Sequence, residues 1–168
     1  MPSESPKSEL EILVEAFQRQ GVEFMLIGGQ AEWLHGSMRA TFDYDFCYSR
    51  SRENCQRLAE ALKRFEPTLR GAPADLPFRV DGPTIEAGCN FTFNTTVGSV
   101  DLLGYVEPFG GMEALIKNAE MYELGGMRID VISLDDLIRI KRHLNRPKDR
   151  DSLMHLLAIK QIREEEQD

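Results

Sequence analysis

Apolar residues along the chain alternate between helical and extended spacing. Ser8 with Glu11 three positions on is a helix-start pair, and Leu10, Leu13, Val14 and Phe17 then recur on one helical face until Gly21. Phe24 to Ile27 is an apolar strand that stops at Gly28-Gly29. Ala31, Trp33 and Leu34 follow as a short helix ending near Gly36, with Trp33 expected in the core. Phe42 to Tyr48 alternates with the period of a strand, and Arg52 to Phe65 returns to helical spacing through Leu58, Ala61 and Leu62. Pro67, Pro73, Pro77 and Pro83, with Gly71 and Gly82, predict loop between Glu66 and Pro83, holding at most a short strand around Phe78 to Val80.

The second half reads as two hairpins and a helical end. Phe91 to Val97 and Ser99 to Leu103 are β-branched and aromatic and join at Gly98. A helix over Met112 to Ala119 precedes a second hairpin, Met121 to Leu124 and Met127 to Ile132, around Gly125-Gly126. Ser133 with Asp136 starts a helix through Leu137, Ile138 and Lys141, and Pro147 suits the first turn of another that carries Leu153, Leu156 and Leu157. These elements predict an α+β fold: a mixed sheet of about five strands with flanking helices and a helical C-terminus.

The chain has 168 residues, enough for one core, so residues 1–168 are expected to form a single domain with tails at 1–7 and 163–168. Three cysteines without metal-ligand or paired spacing indicate neither a disulfide framework nor a zinc cluster, and fit a reducing cytoplasm. No signal-like segment and no run of apolar residues of spanning length occurs, so no membrane role is expected. A net charge of −8 argues against coating a nucleic acid, although the stretch from Arg139 to Arg150 reverses the sign locally.

The chemistry lies in acids placed where strands avoid them. Asp43 and Asp45 alternate with Phe42, Tyr44 and Phe46, which puts both carboxylates on one face of the strand, about 7 Å apart along it. If their carboxyl groups converge to about 4 Å, they repel by roughly 4 kcal/mol at an effective dielectric near 20, so a cation, a proton or an arginine has to intervene. An oxygen pair of this kind suits Mg²⁺ or Mn²⁺. Asp101, between Val100 and Leu102, is the same anomaly and is a candidate third acid. Gly28-Gly29, after a strand and before a helix, exposes backbone N–H groups and removes side chains that would block a phosphate.

The stretch LIGGQAEWLHGSMRATFDYDF resembles the nucleotidyltransferase superfamily, the polymerase-β-like fold, and its small bacterial members from abortive-infection and toxin–antitoxin systems. Gly-Gly, His-Gly, Arg-x-Thr and Asp-x-Asp occur in that family's order, and VDLLG and ISLDDLIRIKRHLNRPKDRDSLMHL also look like those proteins. The resemblance implies Asp43, Asp45 and Asp101 as metal-binding and catalytic acids around Mg²⁺ or Mn²⁺, with Gly28 and Gly29 at a nucleoside triphosphate. Arg39, Thr41 and Lys141 are further candidates for contact with the phosphates. The expected activity is metal-dependent transfer of a nucleoside monophosphate to a hydroxyl on protein, RNA or a small molecule. Toxin–antitoxin or phage defence is a possible setting, with a partner protein or a second copy as a possible associate. The alternative is an inactive nucleotide-sensing or partner-binding module of the same fold. His35, His143 and His155 share no ligand spacing and receive no role.

Overall fold

The computed structural model describes residues 5–73 and 75–168; residues 1–4 of the expected N-terminal tail lie outside it. Its centre is the strand pair β1 (Phe24–Ile27) and β2 (Asp43–Tyr48), antiparallel, with Phe24 opposite Tyr48 and Ile27 opposite Asp45. On one side β2 runs parallel to β5 (Gly98–Leu103), which pairs antiparallel with β4 (Asn90–Thr95), and β4 with the two-residue β3 (Thr68–Leu69). On the other side β1 runs parallel to β7 (Met127–Val131), whose antiparallel partner β6 (Glu120–Leu124) forms the edge. The result is one mixed sheet in the order β3-β4-β5-β2-β1-β7-β6. Among the described residues it has seven strands rather than about five: both hairpins are complete, and a strand forms within the proline-rich stretch.

The alternation on β2 decides which face is core. Phe46 and Tyr48 point to the side covered by α1 (Glu9–Arg19) and α3 (Arg52–Leu62), where Phe17 meets Phe24 and Phe46 edge-on at 5.2 and 5.0 Å between ring centroids. Asp43, Asp45 and, on β5, Asp101 therefore share the opposite face. That face is roofed by α2 (Gly28–His35), α6 (Leu134–Leu144) and α7 (Pro147–Glu166), with α2 packed on β2 and α6, and α6 on α7. Among the described residues, no helix is long and apolar enough to cross a membrane.

Several elements depart from the sequence reading for identifiable reasons. Residues 78–80 form no strand; β3 lies earlier, where Thr68 and Leu69 reach the free edge of β4. The expected loop contains a short helix, α4 (Gly82–Ala87), because Asp81 caps it from Thr84 and Pro83 sits in its first turn. α5 (Met112–Ile116) is shorter than expected. Trp33 is 54% exposed rather than core, since α2 turns Ala31, Glu32 and His35 inward instead.

α7 runs through Arg163 to Glu166, where a tail was expected, and the reason is a buried polar network. His35 Nε2 lies 2.7 Å from the Ile132 carbonyl, while its Nδ1 lies 2.9 Å from Arg163 and 3.0 Å from the Tyr122 hydroxyl. An arginine has only protons to give, so Nδ1 accepts and Nε2–H donates to Ile132: the ring is neutral, and burial lowers its pKa. The network ties α7 to α2 and β6.

Asn54, 1% exposed on α3, fastens the sheet to its helical layer. Its Oδ1 accepts from Glu23 N–H at 2.7 Å, and its Nδ2 donates to the Glu23 and Ser49 carbonyls at 3.0 and 2.7 Å. Asn54→Ala strips Glu23 N–H and the Ser49 carbonyl of these bonds, and should cost about 2–4 kcal/mol in urea denaturation, with no change in the far-ultraviolet spectrum of the folded state. A loss below half a kilocalorie would mean that these backbone groups find other partners.

Candidate active site

The site is set by register before any side chain is considered. Asp45 on β2 lies directly opposite Asp101 on β5 and opposite Ile27, the last residue of β1. The chain must leave β1 immediately beside the Asp45 carboxylate, and it does so at Gly28, which has φ +68°. A Cβ there would stand 2.0 Å from Asp45 Oδ2, so the position demands glycine for its left-handed backbone and again for the approach of the carboxylate. Gly29 is similarly crowded by Thr41, whose Oγ1 would lie 2.5 Å from an added Cβ. The first turn of α2 is thereby held against the acids, with the Gly29 N–H on the Asp45 carboxylate.

Two carboxylates from neighbouring strands meet at the floor. Burial raises the Asp45 pKa to about 7, helped by its hydrogen-bonded contact with Asp101 and by the charges of Asp101 and Asp43, while the backbone N–H of Gly29 works in the opposite direction. Asp43 sits two residues nearer the solvent on the same face, at the exposed start of β2. Asp101 is bound on its other side by Arg70, whose Nη2 donates to Oδ1 at 2.9 Å. Among the described residues, no three His, Cys, Asp or Glu side chains converge closely enough to cage a metal by themselves.

Above the acids opens a cavity of about 570 Å³, and all of the residues singled out in the sequence border it: Gly28, Gly29, Arg39, Thr41, Asp43, Asp45, Asp101 and Lys141. Their surroundings differ from simple expectation in two places. Arg39 reaches the start of α7, donating to the Lys148 carbonyl at 3.3 Å and to the Ser152 hydroxyl, with Asp151 at 3.4 Å, so it clasps the 37–42 loop to that helix. Lys141 lies 3.4 Å from Asp149, which is fully buried and is also held by Arg146 N–H at 3.1 Å and Nε at 2.6 Å. Although burial pushes the other way, these Arg146 bonds and the Lys141 charge hold the Asp149 carboxyl below its usual range. Arg146 and Lys141, rather than the adjacent Lys148, form the ion pairs of Asp149.

Other cavity residues gave no signal in the sequence. Asn90 accepts from Gly104 N–H and Tyr105 N–H at 3.1 and 3.2 Å, fixing the turn that brings Tyr105 to the rim. Glu32 lines the cavity from the second turn of α2, with Oε1 buried and unpartnered among the described residues. In the sequence, an acid on a short helix reads as surface. Cys47, next to the acid pair in sequence, is fully buried, and burial pushes its thiol up to about 12, so it is an inert packing residue.

No family model matches the chain, and no curated protein matches it in sequence. Solved structures do resemble it. The lincosamide antibiotic adenylyltransferase LnuA, determined with lincomycin bound, superposes with a TM-score of 0.60 at 15% identity, over 90% of this chain and 96% of that one. A nucleotidyltransferase-type protein of Thermotoga maritima, TM1012, gives 0.55 at 17% identity over 89% and 92% of the two chains. The antibiotic-resistance factor ANT(2'')-Ia gives 0.55 at 13% identity over 89% and 81%. At such identities the likeness is one of backbone architecture: the chain shares the fold of these nucleotidyltransferase structures.

Proposed function

We propose that the protein is an Mg²⁺- or Mn²⁺-dependent nucleotidyltransferase that moves a nucleoside monophosphate from a nucleoside triphosphate to a hydroxyl group, with pyrophosphate as the leaving group. The observation that carries this reading is the placement of Asp45 against Asp101 beside the Gly28-Gly29 turn, at the floor of a cavity that also holds Asp43 and Lys141. The donor set fits a hard divalent ion, since carboxylates of Asp45 and Asp101 lie side by side and Mg²⁺ is usually held by one or two carboxylates together with substrate phosphates. Bound there, the ion would supply charge neutralisation at the phosphates during in-line displacement.

The chain's own residues do the positioning. The turn at Gly28 and Gly29 carries no side chain that would block a triphosphate from the start of α2, and Lys141 offers a cation in the same cavity. Arg39 acts by holding the loop that carries Thr41 against α7. The carboxylates orient the acceptor hydroxyl, and whichever of them is free of the ion takes its proton. A cavity of about 570 Å³ has the size of a small-molecule site, and the net charge of −8 disfavours RNA, so the acceptor proposed is a small molecule. The lincomycin-bound neighbour is consistent with this choice. A cytoplasmic toxin–antitoxin or phage-defence setting belongs to the same proposal through the resemblance in motif order, and the flanking genes test it.

Asp45→Asn and Asp101→Asn should each lower transfer from α-labelled ATP, GTP, CTP or UTP by roughly 10²-fold or more while the circular dichroism spectrum stays unchanged. Full transfer by either variant, or absence of binding of any of the four nucleotides with Mg²⁺, would overturn the proposal.

The raised pKa of Asp45 also has a stability consequence. Between the unfolded pKa of about 4 and the folded value of about 7, the folded state holds a proton that the unfolded state has released, so this group makes the metal-free protein lose stability as pH rises through that window. Asn mimics the protonated acid. Asp45→Asn should therefore melt close to wild type at pH 4 and above it at pH 8 in EDTA, a difference that scanning calorimetry reads directly; a variant less stable than wild type at pH 8 would contradict the assignment.

A further inference from the structure

Residues opposite one another in the sheet form a row across four strands on the face that bears the acids. Thr92 on β4 is opposite Asp101, and Asp101 is opposite Asp45. Leu69 is opposite Phe93, and the next residue, Arg70, donates its backbone N–H to the Thr92 carbonyl at 2.9 Å, so Arg70 stands at the outer end of this row. Strands two apart are separated by about 9.6 Å, and only a long side chain passing over a small one spans that gap. Arg70 does so over Thr92, with Nη2 donating to Asp101 Oδ1 at 2.9 Å and to the Phe93 carbonyl at 3.3 Å.

This pairing is incomplete in a telling way. Arginine commonly grips a carboxylate through two parallel N–H bonds, yet here a single nitrogen bonds Asp101, while the buried Nε has no acceptor among the described residues. The remaining side of Asp101 is turned to Asp45. Asp101 is thus divided between a fixed positive charge and the position a divalent ion would share with Asp45. A divalent ion there repels the guanidinium, whereas an ion that arrives with a triphosphate brings the negative charge that offsets this repulsion.

We infer that Arg70 is an internal counter-cation for Asp101 that weakens the site for a free divalent ion and so makes metal binding conditional on the nucleotide. The inference rests on the metal site proposed above and assigns to that site a residue that sets its selectivity. Arg70 touches neither the cavity nor the reacting atoms and acts through Asp101.

The test is Mn²⁺ binding to the full chain without nucleotide, followed by isothermal calorimetry or by the free Mn²⁺ electron paramagnetic resonance signal. Arg70→Gln, and Arg70→Met, which keeps the aliphatic stem and its packing, should each bind Mn²⁺ about tenfold more tightly than wild type, the size expected when a unit charge within 4–6 Å of a carboxylate is removed. Arg70→Lys keeps the charge and should stay near wild type. In an Asp101→Asn background, Arg70→Met should produce no gain. Equal or weaker Mn²⁺ binding by Arg70→Met, with a wild-type melting curve, overturns the inference and leaves the proposed metal site standing. Failure of every form to bind Mn²⁺, with or without a nucleoside triphosphate, overturns both.

Discussion

Two carboxylates that repel each other are held in register across a parallel strand pair, and much of the structure is arranged around that conflict. Asp45 and Asp101 cannot separate without sliding β2 against β5, and a slip of one residue would bury acids in the layer packed on α1 and α3. Phe46, Val100 and Leu102, all fully buried, therefore fix the acids by anchoring the opposite face. The repulsion is relieved in part by a retained proton, in part by Arg70, and by the first turn of α2. None of these is a complete solution, which is the state expected of a site built to receive a cation and a polyanion together.

The glycine turn is the second half of the same constraint. Because Ile27 lies opposite Asp45, β1 must end where the carboxylate is, and a side chain at residue 28 would collide with it. The Gly-Gly pair is therefore readable in sequence as a sharp turn, and in space as the wall of the acid site. The roof adds a separate brace: Asp149, buried where α6 meets α7, holds Arg146 and Lys141 together, and Arg39 ties the loop after α2 to the start of α7. Lys141 thus reaches the cavity from a corner fixed by a buried ion pair rather than from a free helix surface.

How much of this was legible in the sequence depended on whether a residue broke its local pattern. Asp43, Asp45 and Asp101 stood out because acids do not belong in strands, and Gly28-Gly29 because it ended an apolar run; all five border one cavity. The core helices followed from helical spacing, and Ser8, Ser51 and Ser133 cap α1, α3 and α6 through their side chains. Arg70 was illegible because a cation among prolines and glycines reads as exposed loop, and its meaning comes only from the pairing of β3 with β4. Asn54 looked like any polar residue in the first turn of a helix, although it bonds the backbone of Glu23, the residue before β1 and 31 positions away. Trp33 misled in the other direction, since its size suggested burial while α2 buries Glu32 and His35.

The central claim is that the acids and the glycine turn form one receptor for a metal–triphosphate complex. Crystals grown with Mn²⁺ and a non-hydrolysable nucleoside triphosphate analogue, with data collected near the manganese absorption edge, test it most directly. The account predicts an anomalous peak within coordination distance of Asp45 and of Asp43 or Asp101, with the triphosphate against the backbone of Gly28 and Gly29. A peak elsewhere, or a nucleotide bound away from that turn, would contradict it.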